Sequence, residues 1–185
     1  MLSDLEILEE IRKGNIVIEP FDKRQLGSNS YDVRLGRFIA RKHQDLRILD
    51  VFNEEDIKSY WQIREVTGGT LTVFPNETIL CHTEEIVGGQ NYITTRMNAR
   101  SSIMRCGISV CKCAGMGDCG FVSRWTMELT NHLEVPVALK IGMRIAQISF
   151  ERIGEVSEQY HGKYQTNNKW QPEDMLPKLW LDWDI

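Results

Sequence analysis

Glu128 is the residue in this sequence whose position most clearly suggests a chemical role, because it interrupts a run that otherwise has the pattern of a β-strand. Apolar and polar residues alternate through WTMELTN (125–131), and the glutamate shares the polar face with two threonines. On an ordinary antiparallel sheet, that face points to water. A carboxylate held away from water could instead accept and return a proton near neutral pH. The strand pattern alone leaves both interpretations open.

The segment ARSSIMRCG (99–107) is the densest polar cluster in the chain, and it predicts one helical turn that ends at Gly107. Its polar side chains are Arg100, Ser101, Ser102 and Arg105. The start of such a turn offers backbone N–H groups and hydroxyls to phosphate oxygens, and arginines add charged, bidentate donors. A solvated turn between two strands explains the same pattern equally well.

The sequence disfavours a zinc site. His82-Thr83-Glu84 followed by Cys111-Lys112-Cys113 partly matches the H-x-E and P-C-x-x-C pattern of zinc nucleotide deaminases. However, only one residue separates the two cysteines and the proline is missing, so they would make a poor tetrahedral pair. We therefore expect no zinc and interpret His82 as an ordinary strand residue. The other histidines, His43, His132 and His161, are expected at surface or structural positions.

The composition is that of an ordinary globular protein, with 42% hydrophobic and 26% charged residues. A chain of 185 residues can bury a sizeable core, and we predict a single domain over residues 1–185. The acidic opening MLSDLEILEE does not resemble a signal peptide, and no apolar run is long enough to span a membrane. Five cysteines, four of them between residues 106 and 119, indicate free thiols in a reducing compartment. We expect a cytoplasmic location, or the host cytoplasm for a viral protein.

The formal net charge of −4 argues against a broad nucleic-acid-binding surface, because no stripe of lysines and arginines could neutralise many phosphates. A small anionic ligand remains compatible with this charge, since a few arginines in one cleft create a local positive potential.

The elements that must position these residues are one helix followed by many strands. Ser3 and Glu6 form a predicted capping box, and apolar residues recur at Leu5, Leu8 and Ile11 before a terminating glycine. Strands are then predicted at 16–20, 30–35, 69–74, 77–83, 92–98, 107–111, 124–131, 137–141 and 144–151.

Many short strands with one clear helix predict a mainly β fold, either an antiparallel sandwich, a jelly roll or a distorted barrel. Residues 51–61 predict a short surface helix. From about Gly154 the chain is polar and then aromatic, which predicts a tail that packs onto the body or closes over it. Its tryptophans, Trp170, Trp180 and Trp183, suit either a closing lid or packing between subunits.

Several motifs, taken together, resemble one family. They are RSSIMRCGISV (100–110), AGMGDCGF (114–121), TMELTN (126–131), GMRIAQISF (142–150) and GKYQ (162–165). The set is similar to the dCTP deaminases of the dUTPase superfamily, including the bifunctional deaminase/dUTPase members. The opening, with SNSYDVRLG at 28–36, agrees, so the resemblance covers nearly the whole chain in order.

The resemblance implies a distorted jelly roll or β-barrel of the dUTPase type, with a short N-terminal helix and a C-terminal tail closing over the site. It implies a homotrimer with active sites between subunits and no zinc. Glu128 matches the general acid/base, so the polar face of its strand would meet a neighbouring subunit. Arg105 matches the arginine that holds the attacking water and stabilises charge, and Ser101 matches a serine that hydrogen-bonds near the amine.

The remaining site residues are implied in the same way. Arg100 and Ser102 match the triphosphate cradle contributed across the interface, Asp118 matches the aspartate that binds the deoxyribose 3′-hydroxyl, and the main chain around Ala114 would read the base edge. Gln147 matches a glutamine that approaches the phosphates. The tail residues that would fold over the triphosphate are Tyr160, Lys163 and Tyr164. Mg²⁺ would arrive with the triphosphate and bind mainly to phosphate oxygens.

The chain departs from the family pattern at four positions. Cys119 and Ser123 replace the usual proline and second glycine of the D-P-G-F-x-G turn, and Gly117 replaces an apolar residue. Gly115 occupies a position where monofunctional enzymes can carry histidine, which favours the bifunctional branch. These changes affect the expected shape of the base pocket.

The expected function is hydrolytic deamination of dCTP to dUTP and ammonia, with dUTP and dTTP as further candidate ligands. The alternatives are a bifunctional enzyme that forms dUMP and pyrophosphate, a pure dUTPase, and a non-catalytic nucleotide sensor on the same fold. The glycine-rich dUTPase tail motif is absent from the sequence, which disfavours a pure dUTPase.

Overall fold

The computed structural model describes residues 1–43, 48–166 and 169–182, and most of its regular structure is strand. The helices are α1 (Asp4–Arg12), α2 (Glu54–Tyr60) and α3 (Ser101–Arg105). The strands are β1 (Ile16–Glu19), β2 (Tyr31–Lys42), β3 (Trp61–Glu65), β4 (Thr70–Val73), β5 (Thr78–Gly89), β6 (Ile93–Ala99), β7 (Ile108–Ser109), β8 (Met116–Gly117), β9 (Val122–Asn131), β10 (Val137–Lys140) and β11 (Arg144–Arg152). The predicted mainly β class is confirmed.

All of the strand pairings between these elements are antiparallel, and they form one curled sheet with a small satellite. The main sheet runs in the order β7-β9-β5-β2-β11-β6-β8, with β1 also paired to β5 and β3 to β2. The satellite pairs β10 with β4. Strand β9, which carries Glu128, therefore lies beside the long central strand β5.

The sheet separates two hydrophobic cores of unequal size. The apolar face of β9 contributes Trp125, Met127 and Leu129 to the main core, as the alternation predicts. On the other side of the sheet, a smaller core joins Leu80 of β5 to α2 and to the tail residues Met175 and Leu176. This second core brings the C-terminal tail onto the face that contains Glu128.

Helix α1 begins as its sequence predicts, but its buried face differs from the prediction. Ser3 and Glu6 form both hydrogen bonds of the capping box. Ile7 is fully buried in the main core, whereas Leu5 is 73% exposed. Glu10, one turn after Ile7 on the same side of the helix, is also buried and accepts hydrogen bonds from Asn15 and Arg152.

Other differences arise where local patterns are weak. The predicted helix over 51–61 is shorter, because the chain passes directly from α2 into β3, a strand that the sequence did not predict. The predicted strand over 107–111 contains only β7, since Cys111 and Lys112 turn the backbone with φ values of 60° and 36°. Strands β2 and β5 are each longer than predicted and carry irregular register.

The tail after β11 has no strands in its described part and contains two short 3₁₀ turns, Pro172–Met175 and Leu179–Asp182. The predicted position of Trp183 lies outside the described residues. The longest described helix, α1, has nine residues, and none of the described helices has the length and apolar character needed to cross a bilayer.

Candidate active site

A cavity of about 410 Å³ lies against the polar face of β9. One wall is the sheet itself, with Leu80, Thr126 and Glu128. The loop that contains Ala114 and Asp118 forms a second wall. The tail forms the third, and its lining residues include Tyr160, Tyr164, Thr166, Trp170 and Leu176. The cavity is large enough for a small organic ligand.

Glu128 is held in this cavity as a shielded carboxylate. Its Oε2 atom is buried and has no hydrogen-bond partner among the described residues. Desolvation raises the pKa of the carboxyl above its ordinary value, while its own backbone N–H and the charge of Lys112 act in the opposite direction. Trp170, Met175 and Leu176 of the same chain line the cavity together with Glu128, where the resemblance implied a neighbouring subunit.

The loop wall depends on close backbone contacts. Met97 donates its N–H to the Gly115 carbonyl at 2.6 Å, and a Cβ on Gly115 would lie 2.2 Å from the Met97 carbonyl oxygen. Position 115 therefore accepts no side chain on this backbone. A Cβ on Gly117 would lie 2.4 Å from the Trp125 ring, so the ring fills the space beside Asp118 that a larger residue at 117 would need.

Of the three tail residues that the resemblance implied, Tyr160 and Tyr164 line the cavity and Lys163 does not belong to its lining. Tyr160 donates its N–H to the Cys119 carbonyl and packs edge-on against Phe121, with 5.5 Å between ring centroids. The ammonium of Lys163 instead forms an ion pair with Asp182.

The other predicted residues lie outside the cavity lining, in a second group that we call the arginine group. Its members are Arg100, Ser101, Ser102, Arg105 and Gln147. Ser101, Ser102 and Arg105 are exposed on α3. The Arg100 guanidinium pairs with Asp32 at 3.0 Å, and Gln147 of β11 lies opposite Asp32 in the strand register. A single chain therefore does not bring Arg105 and Ser101 to Glu128.

His82 is a buried structural residue, as predicted. Its Nδ1–H donates to the Thr83 carbonyl at 2.8 Å, and Nε2 accepts from the Phe38 N–H at 3.2 Å. The Trp170 ring packs against it, with 4.4 Å between centroids. Burial lowers the pKa of His82 to about 4, so the ring is neutral at neutral pH. Within the described ranges, no group of three or more His, Cys, Asp or Glu side chains could hold a metal ion.

Two cavity residues were missed from the sequence, for different reasons. Arg124 is two alternations before Glu128 on the same strand face, so the strand pattern could have identified it. It donates to the Thr83 carbonyl, and its guanidinium carbon lies 5.8 Å from the Trp170 ring centroid. Trp170 belongs to an irregular tail without periodicity, so only the folded structure shows where it packs.

Comparison with known proteins shows the family to which this chain belongs. The family described as "dCTP deaminase-like" matches residues 1–153, and the chain belongs to that family.

Individual relatives agree over nearly the whole chain. A protein of Methanobrevibacter smithii named "dCTP deaminase, dUMP-forming" is 36% identical over 186 residues, which cover 97% of this chain and 96% of the relative. A protein of the same name from Coprothermobacter proteolyticus is 38% identical over 169 residues, covering 89% and 90%.

A solved structure supports the fold assignment. The crystal structure of 2′-deoxycytidine 5′-triphosphate deaminase from Agrobacterium tumefaciens superposes with a TM-score of 0.63 at 19% identity. The match covers 83% of this chain and 47% of that one, so this chain corresponds to about half of the solved chain. At this level of identity, the similarity establishes the architecture only.

Proposed function

We propose that this protein deaminates dCTP and hydrolyses the resulting dUTP, so that its products are ammonia, dUMP and pyrophosphate. The observation that carries the first reaction is Glu128, a carboxylate in a ligand-sized cavity whose buried Oε2 atom has no hydrogen-bond partner in the part of the chain that the structure describes. The names of the two relatives support dUMP as the end product. They favour this bifunctional alternative over the initial expectation that the reaction ends at dUTP.

In the deamination, Glu128 acts as general base and then as general acid. Its carboxylate takes a proton from a water molecule whose oxygen attacks carbon 4 of the cytosine ring. The proton passes to ring nitrogen 3, and Glu128 then transfers the proton of the new C4 hydroxyl to the amine, so that the C4–N bond breaks, ammonia leaves and carbon 4 becomes a carbonyl. A carboxyl whose pKa is raised by desolvation suits both roles near neutral pH.

In the second reaction, a water oxygen attacks the α-phosphorus of dUTP, and the bond to the bridging oxygen of the β-phosphate breaks. Asp118 and Glu128 assist in orienting and deprotonating that water, and both line the cavity. Asp118 also receives the deoxyribose 3′-hydroxyl, and the main chain at Ala114 reads the base edge. Mg²⁺ would enter with the triphosphate, bind mainly to phosphate oxygens while keeping most of its waters, and neutralise phosphate charge.

The arginine group completes the site from a neighbouring subunit of a homotrimer. This assignment is supported by the exposure of the α3 side chains Ser101, Ser102 and Arg105 and by the apolar surface around them. Met104 of α3 and the nearby side chains Leu133, Val135 and Phe74 are all exposed, and Leu133 packs against Gly107 at the end of α3. Exposed apolar side chains beside a cationic turn suit burial against a second copy of the chain.

Gly115 supports the bifunctional branch on steric grounds. The resemblance connects histidine at this position with monofunctional enzymes, and the backbone contact with Met97 leaves no room for any side chain there. The path of this loop is therefore specific to glycine, and it shapes the part of the cavity next to Ala114.

The experiment is to incubate purified protein with dCTP and Mg²⁺ and to separate the nucleotides by anion exchange, with dUTP as a parallel substrate. The proposal expects dUMP and pyrophosphate from dCTP without accumulation of dUTP. Accumulation of dUTP would overturn the second reaction and leave a monofunctional deaminase. Consumption of dUTP alone would overturn the role of Glu128 in deamination. Binding of both nucleotides without turnover would indicate a sensor instead of an enzyme.

A further inference from the structure

The tail is fastened to the body next to the cavity, at residues 118–123, the segment that carries Asp118. Gln165 donates its side-chain N–H to the Gly120 carbonyl at 2.8 Å and accepts from the Val122 N–H at 3.3 Å. The Tyr160 N–H donates to the Cys119 carbonyl at 2.8 Å. These contacts use backbone groups of the body, which many sequences could supply.

Besides the ring contact between Phe121 and Tyr160, Ser123 provides the one side-chain hydrogen bond from this segment of the body to the tail that we find among the described residues. Its Oγ lies 3.0 Å from Oγ1 of Thr166, and the serine is only 2% exposed. Both residues line the cavity. Ser123 also stands where the family resemblance implies glycine, which has no hydroxyl. The departure from the family pattern therefore coincides with the contact that holds the tail.

Thr166 lies in the middle of the tail segment that lines the cavity, with cavity-lining residues on both sides of it in sequence. Tyr160 and Tyr164 precede it, and Trp170 follows it and packs against His82. Release of Thr166 would loosen the wall that keeps water from Glu128. We propose that Ser123 is a positioning residue, whose hydroxyl holds Thr166 and with it the tail wall of the cavity in place before a nucleotide arrives.

The expected size of the effect follows from the kind of bond. A neutral hydrogen bond contributes on the order of 1 kcal/mol net, and about 0.65–1.4 kcal/mol corresponds to a change of about 3- to 10-fold in an equilibrium between closed and open tail. The rate of proteolysis through transient opening is proportional to the open population, so it should change by that full factor. Affinity for a ligand that needs the closed wall changes by that factor at most.

The first experiment measures opening directly, in full-length protein without nucleotide. Trypsin should cleave after Lys163 and Lys169, which flank Thr166, and mass spectrometry gives the rate of each cut. Ser123→Ala and Thr166→Val should each increase these rates about 3- to 10-fold, and the double variant should match the single variants because both lose the same bond. Thr166→Ser keeps the hydroxyl and should stay within about twofold of the wild type.

The chain offers a matched control in the pair Thr78 and Thr130, whose Oγ1 atoms lie 2.8 Å apart between β5 and β9. Thr78→Val removes an equivalent hydroxyl–hydroxyl bond to Thr130 of β9, the strand that also carries Ser123, without touching the tail. It should leave tail cleavage within about twofold of the wild type. Equal cleavage of Ser123→Ala, Thr166→Val and Thr78→Val would overturn the proposal. If Ser123→Ala fails to fold, Thr166→Val decides the question from the tail side.

A second measurement connects the wall with turnover, and this part alone rests on the proposed function. Ser123→Ala should raise KM for dCTP by no more than its proteolysis factor and keep kcat within about twofold. A fall in kcat at unchanged KM would overturn the positioning role. If dCTP is not a substrate at all, the proposed function fails, and the proteolysis result still decides whether Ser123 holds the tail.

Discussion

Glu128 and the arginine group are proposed to serve one reaction, yet they have opposite access to water. The carboxylate lies in a cavity that the chain's own tail helps to enclose, and its desolvation raises its pKa. Ser101, Ser102 and Arg105 are exposed on α3. A carboxylate must be desolvated to work as a base near neutral pH, and a single chain can provide that environment for Glu128. The arginines proposed to bind the triphosphate keep their charge in water, so they can stay exposed on one chain before the proposed assembly with another.

The largest effect expected is the loss of turnover in Glu128→Gln. Glutamine is nearly isosteric but cannot carry the proton, so kcat for dCTP should fall by about 10³-fold, within the usual range for a general acid/base. Nucleotide affinity, measured by calorimetry, should remain within about threefold of the wild type. A fall in kcat of less than about tenfold would mean that the shielded carboxylate is not the base.

Mixing two inactive variants tests whether the Glu128 and the Arg105 of one active site come from different subunits. Glu128→Gln and Arg105→Ala are each expected to be inactive alone. After dissociation and reassembly in equal amounts, about one quarter of sites should combine an intact glutamate with an intact arginine, and activity should recover to that level. If both residues act within one subunit, the mixture stays inactive. Each variant reassembled with itself is the control.

His82 is a second desolvated titratable group, and its pKa is lowered to about 4 from an ordinary 6.5. Between these values the unfolded chain binds a proton that the folded chain does not. The free energy of unfolding should therefore fall as pH decreases from 6.5 towards 4, with a slope of up to about 1.4 kcal/mol per pH unit.

Urea denaturation in the Glu128→Gln background would measure this slope. That background removes the opposite contribution of Glu128, whose raised pKa makes the folded state take up a proton more readily. A free energy of unfolding that does not change between pH 6 and pH 5 would contradict the buried, neutral assignment of His82.

The smallest expected effects concern stability at neutral pH. Arg105→Ala removes an exposed side chain from α3, so it should change the stability of the isolated subunit by less than about 0.5 kcal/mol. Glu128→Gln should raise the melting temperature, because it removes the cost of a desolvated charge. That gain should disappear as pH falls below 4.5, the ordinary pKa of glutamate, where the carboxyl is protonated in both states. Equal melting temperatures of Glu128→Gln and wild type at neutral pH would contradict the desolvation.

Local signals predicted the parts of the fold that depend on neighbours in sequence. The capping box of α1 involves residues three apart, and the alternation in β9 identifies its buried face without any tertiary information. Strand β3 was not predicted from the sequence because no glycine or proline separates it from α2. Family motifs named the site residues, but no motif contains the distance between two segments, so the division into two groups required the structure.

The dryness of Glu128 could not be predicted from its strand. The cavity that contains this carboxylate is completed by Trp170 and Leu176, which lie more than forty residues further along the chain in a tail without periodicity. The same holds for Lys163, whose pairing with Asp182 is set by how the tail folds on itself.

The close contact of Gly117 with Trp125 has a consequence for how this pocket can change over evolution. The indole cannot retreat, because its Nε1–H is bound to the Val87 carbonyl at 2.9 Å. A Cβ at 117 would also lie 2.4 Å from Oγ1 of Thr95, so an apolar side chain there would be tolerated only after both position 125 and position 95 had made room, whereas the reverse order passes through a variant with a steric clash. The three positions must therefore change together, and a loop exchanged with a relative would need matching residues at 95 and 125.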